Sequence, residues 1–313
     1  MLTYIVSHVI SSFFFKEDRR NRVAIVVVGD IGRSPRMRFH SLSLAAHGFH
    51  VDLIGYCETA VPKDILENKL ISVVKIKPLK SLPSSLPRLC YILFAPFKAV
   101  YLFLQLQFTL LFRLEHYDYL LIQNPPSIPI LLVSQIATFL NGAKLIIDWH
   151  NFGYSILGLQ LGSNHIFVSF YKWFEQFFGR RAYCHISVTK AMSKELHSKW
   201  KTNKIPIVLY DRPPKMFKKL SVEEKHNFLL KLQSQSPIFD EWSEGYSSTK
   251  TLLTEKIDEK IQFRENRPML IISSTSWSED EDFQILLDAI VLYEKNAKVL
   301  KSKVFPFLSF FFF

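Results

Sequence analysis

Cysteine is scarce in this chain. Cys57, Cys90 and Cys184 are the three, far apart and in no metal or redox spacing, which excludes a disulfide scaffold and fits a reducing compartment. No Asn-x-Ser/Thr sequon occurs, so a lumenal or secreted catalytic domain is disfavoured. Neither phosphate-loop signature is present, since G-x-G-x-x-G and G-K-[ST] are both missing. Zinc-finger spacing, an RNP motif and an interleaved arginine/aromatic track are also lacking, and nucleic acid is not expected as a partner. The N-terminus has no basic n-region and no small-residue cleavage site, which argues against a signal peptide.

What remains is apolar and basic. Of 313 residues, 48% are hydrophobic and 28 are phenylalanine; mean hydropathy is +0.10, and the net charge of +11 calls for an acidic surface or ligand. Residues 1–20 open with an apolar stretch to Phe15, followed by Lys16, Arg19, Arg20 and Arg22. A spanning helix needs about 20 apolar residues, so the reading is a short or interfacial anchor, with a disordered leader as the alternative.

The organising stretch is Val23–His40. Its apolar run Val23–Val28 reads as a strand buried on both faces, Gly29–Gly32 as a turn, Ser34 as an N-cap and Pro35 as the first helical residue. Unpaired N–H groups at a helix N-terminus suit an anion, so Gly29, Gly32, Arg33 and Arg36 are phosphate-binding candidates; a plain tight turn with solvated arginines is the bland reading. Strands at His50–Tyr56, Ile71–Ile76, Tyr117–Gln123, Lys144–Ile147, Tyr183–Val188 and Ile205–Tyr210 alternate with helices at Pro62–Lys69, Ile128–Leu140 (capped by Ser127), Ile166–Arg181 and Ala191–Trp200. That alternation predicts an α/β fold with one doubly wound parallel sheet over residues 21–212. Leu89–Leu114 is almost continuously apolar, interrupted by Pro96, Lys98, Gln105 and Gln107. It can lie in a membrane interface, with Phe94, Phe97, Phe103 and Phe108 as the contacting side chains. A buried helix and a full span are the alternatives.

The fifth strand delivers Asp148-Trp149-His150-Asn151 at its C-terminal end, the edge where open α/β sheets bind ligands. Asp148 and His150 are therefore general-base candidates, a histidine titrating near neutrality with an aspartate to fix its tautomer. A turn cap and a cleft-lining hydrogen bonder are the bland readings. Asn151 and Lys190 are further substrate-binding candidates. Beyond the double proline at Pro213, residues 213–268 read as a linker with helices at Val222–Gln233 and Leu252–Phe263. Residues 269–296 read as a single βα unit, and the Phe-rich 297–313 matches neither helix nor strand period.

GDIGRSPRM, QNPPSIP, IDWHNFGYS, ISVTKAM, YDRPP and SSTSWSEDEDF, in that order, resemble blocks of the chitobiosyldiphosphodolichol beta-mannosyltransferase family of two-domain GT-B glycosyltransferases. The resemblance covers Val23 to Ala297. It implies an inverting transfer of mannose from GDP-mannose to dolichol-diphosphate chitobiose, forming a beta-1,4 link, at the cytosolic face of the endoplasmic reticulum membrane. It also implies no metal and no cofactor, so the acidic run Glu279–Asp282 reads as a helix N-terminus. A complete Rossmann-like N-terminal domain and only the start of the second, donor-side domain are expected. That leaves an alternative in which the chain is a non-catalytic membrane-associated module, binding dolichol diphosphate or other glycosyltransferases of the pathway.

Overall fold

A computed structural model of the chain describes residues 21–79, 83, 87–213, 217–235, 249–265, 267–273, 282–300 and 308–312. The leader expected over residues 1–20 lies outside them. The chain divides into two units, Met1–Arg212 and Pro213–Phe313.

The first unit is built on a seven-stranded parallel sheet, ordered β3-β2-β1-β4-β5-β6-β7. Its strands are β1 (Arg22–Asp30), β2 (His50–Tyr56), β3 (Ile71–Lys75), β4 (Tyr119–Asn124), β5 (Lys144–Trp149), β6 (Cys184–Ser187) and β7 (Ile207–Val208). The order reverses between β1 and β4, and it is outside the C-terminal strand ends at such a switch point that open α/β sheets bind ligands. β1 is buried on both faces as its apolar run requires. Val23, Ile25 and Val27 join one core layer, while Ala24 and Val26 join the other. Each such side chain contributes about 1.5–3 kcal/mol on burial.

Two helices cover one face: α1 (Pro35–Ala46), through Met37 and Ala45, and the four-residue α2 (Lys63–Leu66), through Ile65. The other face is covered by α3 (Arg88–Phe108, continuing as a π-helical turn over Thr109–Arg113), α4 (Ile130–Asn141), α6 (Ile166–Gly179) and α7 (Lys190–Ser198). They contribute Leu102 and Leu106, Leu131 and Val133, Phe174, and Leu196 to a single core. The π-helical turn adds Leu110. α4 ends at Gly142 with φ +65°, a left-handed position that glycine adopts without strain.

Several expectations are corrected. α5 (Gly153–Leu161) was not anticipated; its two glycines break the helical pattern. Ser127 caps no helix, because α4 begins at Ile130 and the Ser127 hydroxyl is turned inward. Ser34 makes no side-chain cap; its Oγ donates to Gln123 Oε1 at 3.3 Å. The Leu89–Leu114 stretch is not free on all sides. Leu102 and Leu106 pack on the sheet, and so does Phe103, whereas Phe97 and Phe108 are about 60% exposed and Phe94 is half-buried.

In the second unit, α8 (Val222–Gln235) is followed by an antiparallel hairpin, β8 (Thr254–Ile257) and β9 (Lys260–Phe263), where a helix was expected. Asp258 and Glu259 both have positive φ, which makes a two-residue hairpin turn and ends any helix. The βα unit is also extended. β10 (Met269–Ser273) pairs in parallel with β11 (Leu308–Phe312), the two separated by α9 (Phe283–Leu300). The Phe-rich end, expected to match no period, supplies that second strand. Glu279, Asp280 and Glu281 lie outside the described residues; Asp282 Oδ1 accepts the Gln284 N–H at 3.0 Å, as an N-terminal acid should.

Candidate functional site

The switch point gathers the two stretches singled out from the sequence. β1 runs into a 3₁₀ turn, Ile31–Arg33, and then α1, while β5 ends in Asp148 and Trp149. β4 lies between them in the sheet, so the chain segments meet although they are more than 100 residues apart.

Asp148 is fully buried at the centre of the cluster. Arg36 holds it with two bonds, Nε to Oδ2 at 2.6 Å and Nη2 to Oδ1 at 2.8 Å, a fork matched to a carboxylate. His40, one turn further along α1, places Nε2 3.0 Å from Oδ2. His150 Nε2 stands 3.6 Å from the same oxygen, beyond hydrogen-bond reach, and is itself buried with no partner. Burial alone would raise the Asp148 pKa. His150, His40 and Arg36 overcome it and hold the carboxyl well below the usual carboxylate range. Asp148 is therefore a fixed anion that orients its neighbours, and a poor proton acceptor. A proton on Nε2 would face Asp148 and leave the lone pair of His150 on Nδ1.

Arg36 also reaches the end of the sheet: Nη1 donates to Leu209 O at 2.9 Å and to Asp211 Oδ1 at 2.8 Å. Its guanidinium is buried among two carboxylates and a carbonyl. Arg36, a phosphate-binding candidate by sequence, is engaged here in an ion-pair network with Asp148 and Asp211. Burial works against its charge, and Asp148 and Asp211 more than restore it.

The glycine turn is organised from within. Asp30 accepts the N–H groups of Gly32 (3.4 Å), Glu58 (3.2 Å) and Thr59 (3.1 Å) and the Thr59 hydroxyl. The Thr59 hydroxyl is the main reason its pKa is lowered. A Cβ on Gly32 would lie 2.3 Å from Thr59 Oγ1 and 2.8 Å from Ala60 O, so glycine is required there for close approach. Arg33 projects outward, with 79% of its side chain exposed and Nε 3.8 Å from Asp30. A Cβ on Gly29 would meet Val27 Cγ1 at 3.8 Å, an ordinary contact, so glycine is not required there for space. Asn151 and Lys190 are exposed, the first just past His150 and the second opening α7, whose N-cap Thr189 accepts the Met192 N–H at 3.1 Å. Asp148, His150 and Arg36 are thus brought into one cluster, which Asn151 adjoins, while Arg33 and Lys190 stand on the surface.

Sequence reasoning missed three participants: His40, Asp211 and Glu175. Glu175 is buried on α6 and has no cationic partner there. It accepts from Asn124 Nδ2 (2.8 Å), Ser127 Oγ (2.6 Å), Gly153 N (2.8 Å) and Tyr154 N (3.3 Å). This one carboxylate ties the loop after β4 to the loop after β5, on which His150 sits. Burial pushes its pKa up, and the four donors only partly offset that. With the folded pKa raised, its contribution to stability falls as pH rises above the ordinary 4.5. Glu175→Ala strands four donors and is expected to lower stability by about 2–3 kcal/mol. Glu175→Gln should recover most of that and flatten the pH slope, both read from urea titrations between pH 4 and 8.

Beside the cluster, α1 leaves part of the sheet face open. A groove of about 300 Å³ is lined by His40, Leu44, Tyr119, Leu121, Ile146 and Ile186. His40 therefore faces both the groove and Asp148.

Comparison with known proteins gives the following. No family model matches the chain. It is 37% identical over 283 residues to the chitobiosyldiphosphodolichol beta-mannosyltransferase of Mus musculus, covering 89% of this chain and 57% of that protein. It is 39% identical over 290 residues to the Homo sapiens protein of the same name (90% and 61%). To UDP-glycosyltransferase TURAN of Arabidopsis thaliana it is 37% identical over 286 residues (89% and 61%). The chain thus spans 57–61% of the length of these relatives. The relationship expected from the six sequence blocks extends over nine-tenths of the chain. Among solved structures, the glycotransferase of kitacinnamycin overlaps at TM-score 0.45 with 8% identity (94% of this chain, 66% of that one).

Proposed function

We propose, from the likeness of nine-tenths of this chain to the chitobiosyldiphosphodolichol beta-mannosyltransferases, that it acts in mannosyl transfer to a dolichol-diphosphate chitobiose. The donor is GDP-mannose and the new link is beta-1,4, formed with inversion. The first unit is the acceptor side of a GT-B enzyme at the cytosolic face of the endoplasmic reticulum membrane.

Inversion in one displacement needs a base for the acceptor hydroxyl and a counter-charge for the departing diphosphate. His150 is the base, through Nδ1; it takes the hydroxyl proton as the oxygen attacks the anomeric carbon and the bond to the diphosphate breaks. Asp148 sits 3.6 Å from Nε2 and stabilises the imidazolium so formed. Arg36 and His40 are positioning residues that keep Asp148 ionised and fixed. The exposed Arg33, Lys190 and Asn151, beside the turn at Gly29, supply the polar and cationic rim for a diphosphate. The observation that carries this reading is the 37–39% identity over nine-tenths of the chain. The exposed α3 side chains Phe97 and Phe108 suit an acceptor that stays in the bilayer.

The test is a radiolabelled transfer assay with GDP-mannose and a phytanyl-diphosphate chitobiose acceptor. Labelled trisaccharide-lipid is the expected product. Acceptor binding without transfer would leave a non-catalytic binding module, and neither binding nor transfer would overturn both.

A further inference from the structure

On the α3 side of the sheet the helices lie side by side as α3, α4 and α6. Gln107 Nε2 on α3 donates to Val133 O on α4 at 3.2 Å, and Gln135 Nε2 on α4 donates to Phe178 O on α6 at 2.9 Å. Their inner faces share one core. Their outer faces are apolar. α3 exposes Phe97, Val100, Leu104 and Phe108; α4 exposes Phe139, at 82%; α6 exposes Ile166, Phe170, Trp173 and Phe177.

The α6 residues recur at spacings of four, three and four, one continuous stripe of a helix. Trp173 and Phe177 stack with ring centres 5.6 Å apart, and Phe170 lies 5.8 Å from Trp173. A soluble surface helix would carry charges on this face. Exposed apolar patches of this kind mark contact with another apolar phase.

Charge identifies that phase. Across Arg88–Arg113, Ile130–Asn141 and Gly153–Arg181 the single acidic residue is Glu175, and it is buried. The cations on the same helices stay out: Lys98, Arg113, Lys172 and Arg181 are exposed, and Arg180 lies with its guanidinium 5.3 Å from the Phe177 ring. At the C-terminal end of α6, a cleft of about 270 Å³ is lined by Trp173, Phe177, Arg180, Lys199, Trp200 and Lys201. Lys199 there is paired with Glu195 at 2.8 Å. Aromatic side chains bordered by basic ones, with no exposed acid on the same helices, match the interface of an anionic bilayer. They match a folded protein partner less well, since such interfaces balance both signs of charge.

We infer that the aromatic stripe of α6, with the basic cleft at its C-terminal end, is a second membrane contact that lays the whole α3–α4–α6 layer flat on an anionic leaflet. The inference rests on the membrane reading of α3 and extends it to a helix not previously assigned to the lipid.

The test places an environment-sensitive NBD dye on the full chain at F170C or, separately, at F97C, each with Cys57, Cys90 and Cys184 replaced by serine. Vesicles of phosphatidylcholine with 30% phosphatidylserine are compared with pure phosphatidylcholine. Both dyes are expected to shift to the blue on the anionic vesicles. The triple variant F170S/W173S/F177S should partition at least about tenfold more weakly, as three exposed aromatics leaving the lipid require. Arg180→Gln with Arg181→Gln should weaken binding about tenfold on the anionic vesicles and leave the neutral ones unchanged. Circular-dichroism melts of each variant control for folding. A dye at 170 that stays in water while the dye at 97 shifts overturns the α6 contact and leaves the α3 reading standing. If neither shifts, both fall. A 170 dye that shifts with protein concentration, and not with lipid, overturns the proposal in favour of self-association.

Discussion

Replacing His150 with alanine is expected to slow mannosyl transfer by about 10²–10⁴-fold, the range general-base catalysis supplies. The side chain is 20% exposed and makes no hydrogen bond through Nε2, which lies 3.6 Å from Asp148. Its removal therefore costs little in folding, and the melting temperature should stay within a few degrees of the parent. Acceptor affinity, measured with the phytanyl-diphosphate chitobiose, should change by less than threefold, because a base is needed by the transition state and not by the ground state. His150→Gln restores a hydrogen-bonding side chain without a titrating nitrogen and should not restore the rate. Equal losses of affinity and rate would make His150 a binding residue.

Replacing Asp148 with alanine is expected to be a folding defect, with a loss of about 3–5 kcal/mol, since one partner of a buried ion pair is left uncompensated. Arg36 keeps Asp211 and Leu209 O but loses the fork that centres it, and His40 loses its acceptor. A double-mutant cycle with Arg36→Met measures the coupling; the Asp148→Leu/Arg36→Met pair should recover part of the loss. The pH dependence has a definite sign. The folded-state pKa is depressed, so the contribution of Asp148 is fully present above the ordinary 3.8 and is lost as pH falls through the depressed value. The stability gap between parent and Asp148→Asn should therefore be constant above about pH 4 and close as pH falls below it. A gap that is absent at neutral pH, or that does not change in acid, would remove Asp148 from its central place.

Much of the first unit was legible because its signals are local. The apolar run of β1, the proline at the start of α1 and the Asn141-Gly142 stop each act within a few residues. The hairpin Thr254–Phe263 was misread for the opposite reason: its spacing suits a helix, and only the left-handed pair Asp258-Glu259 selects the turn. In the cluster, Asp148 and His150 were found because an edge position and a residue type suffice to nominate them. Arg36 was nominated without the partners it has in the fold. Its charge pointed to phosphate, and the 112-residue contact to Asp148 has no signature in the chain. Glu175 was invisible for the same reason, since an acid in an aromatic helix shows nothing of the four donors that converge on it from two distant loops.

The position of β4 in the sheet has a bearing on how the protein is made. β1 pairs with β2 on one side and with β4 on the other, and nearly a hundred residues separate the start of β1 from the start of β4. A ribosome that has released only the first three strands therefore presents a half-sheet whose β1 edge is still bare, beside the β3 edge that stays outermost, and the acid-free α3 is the next segment to emerge. Bare edges invite mispairing. α3 must therefore wait for β4 before its inner side chains, Leu102 and Leu106, find the whole of the core they join.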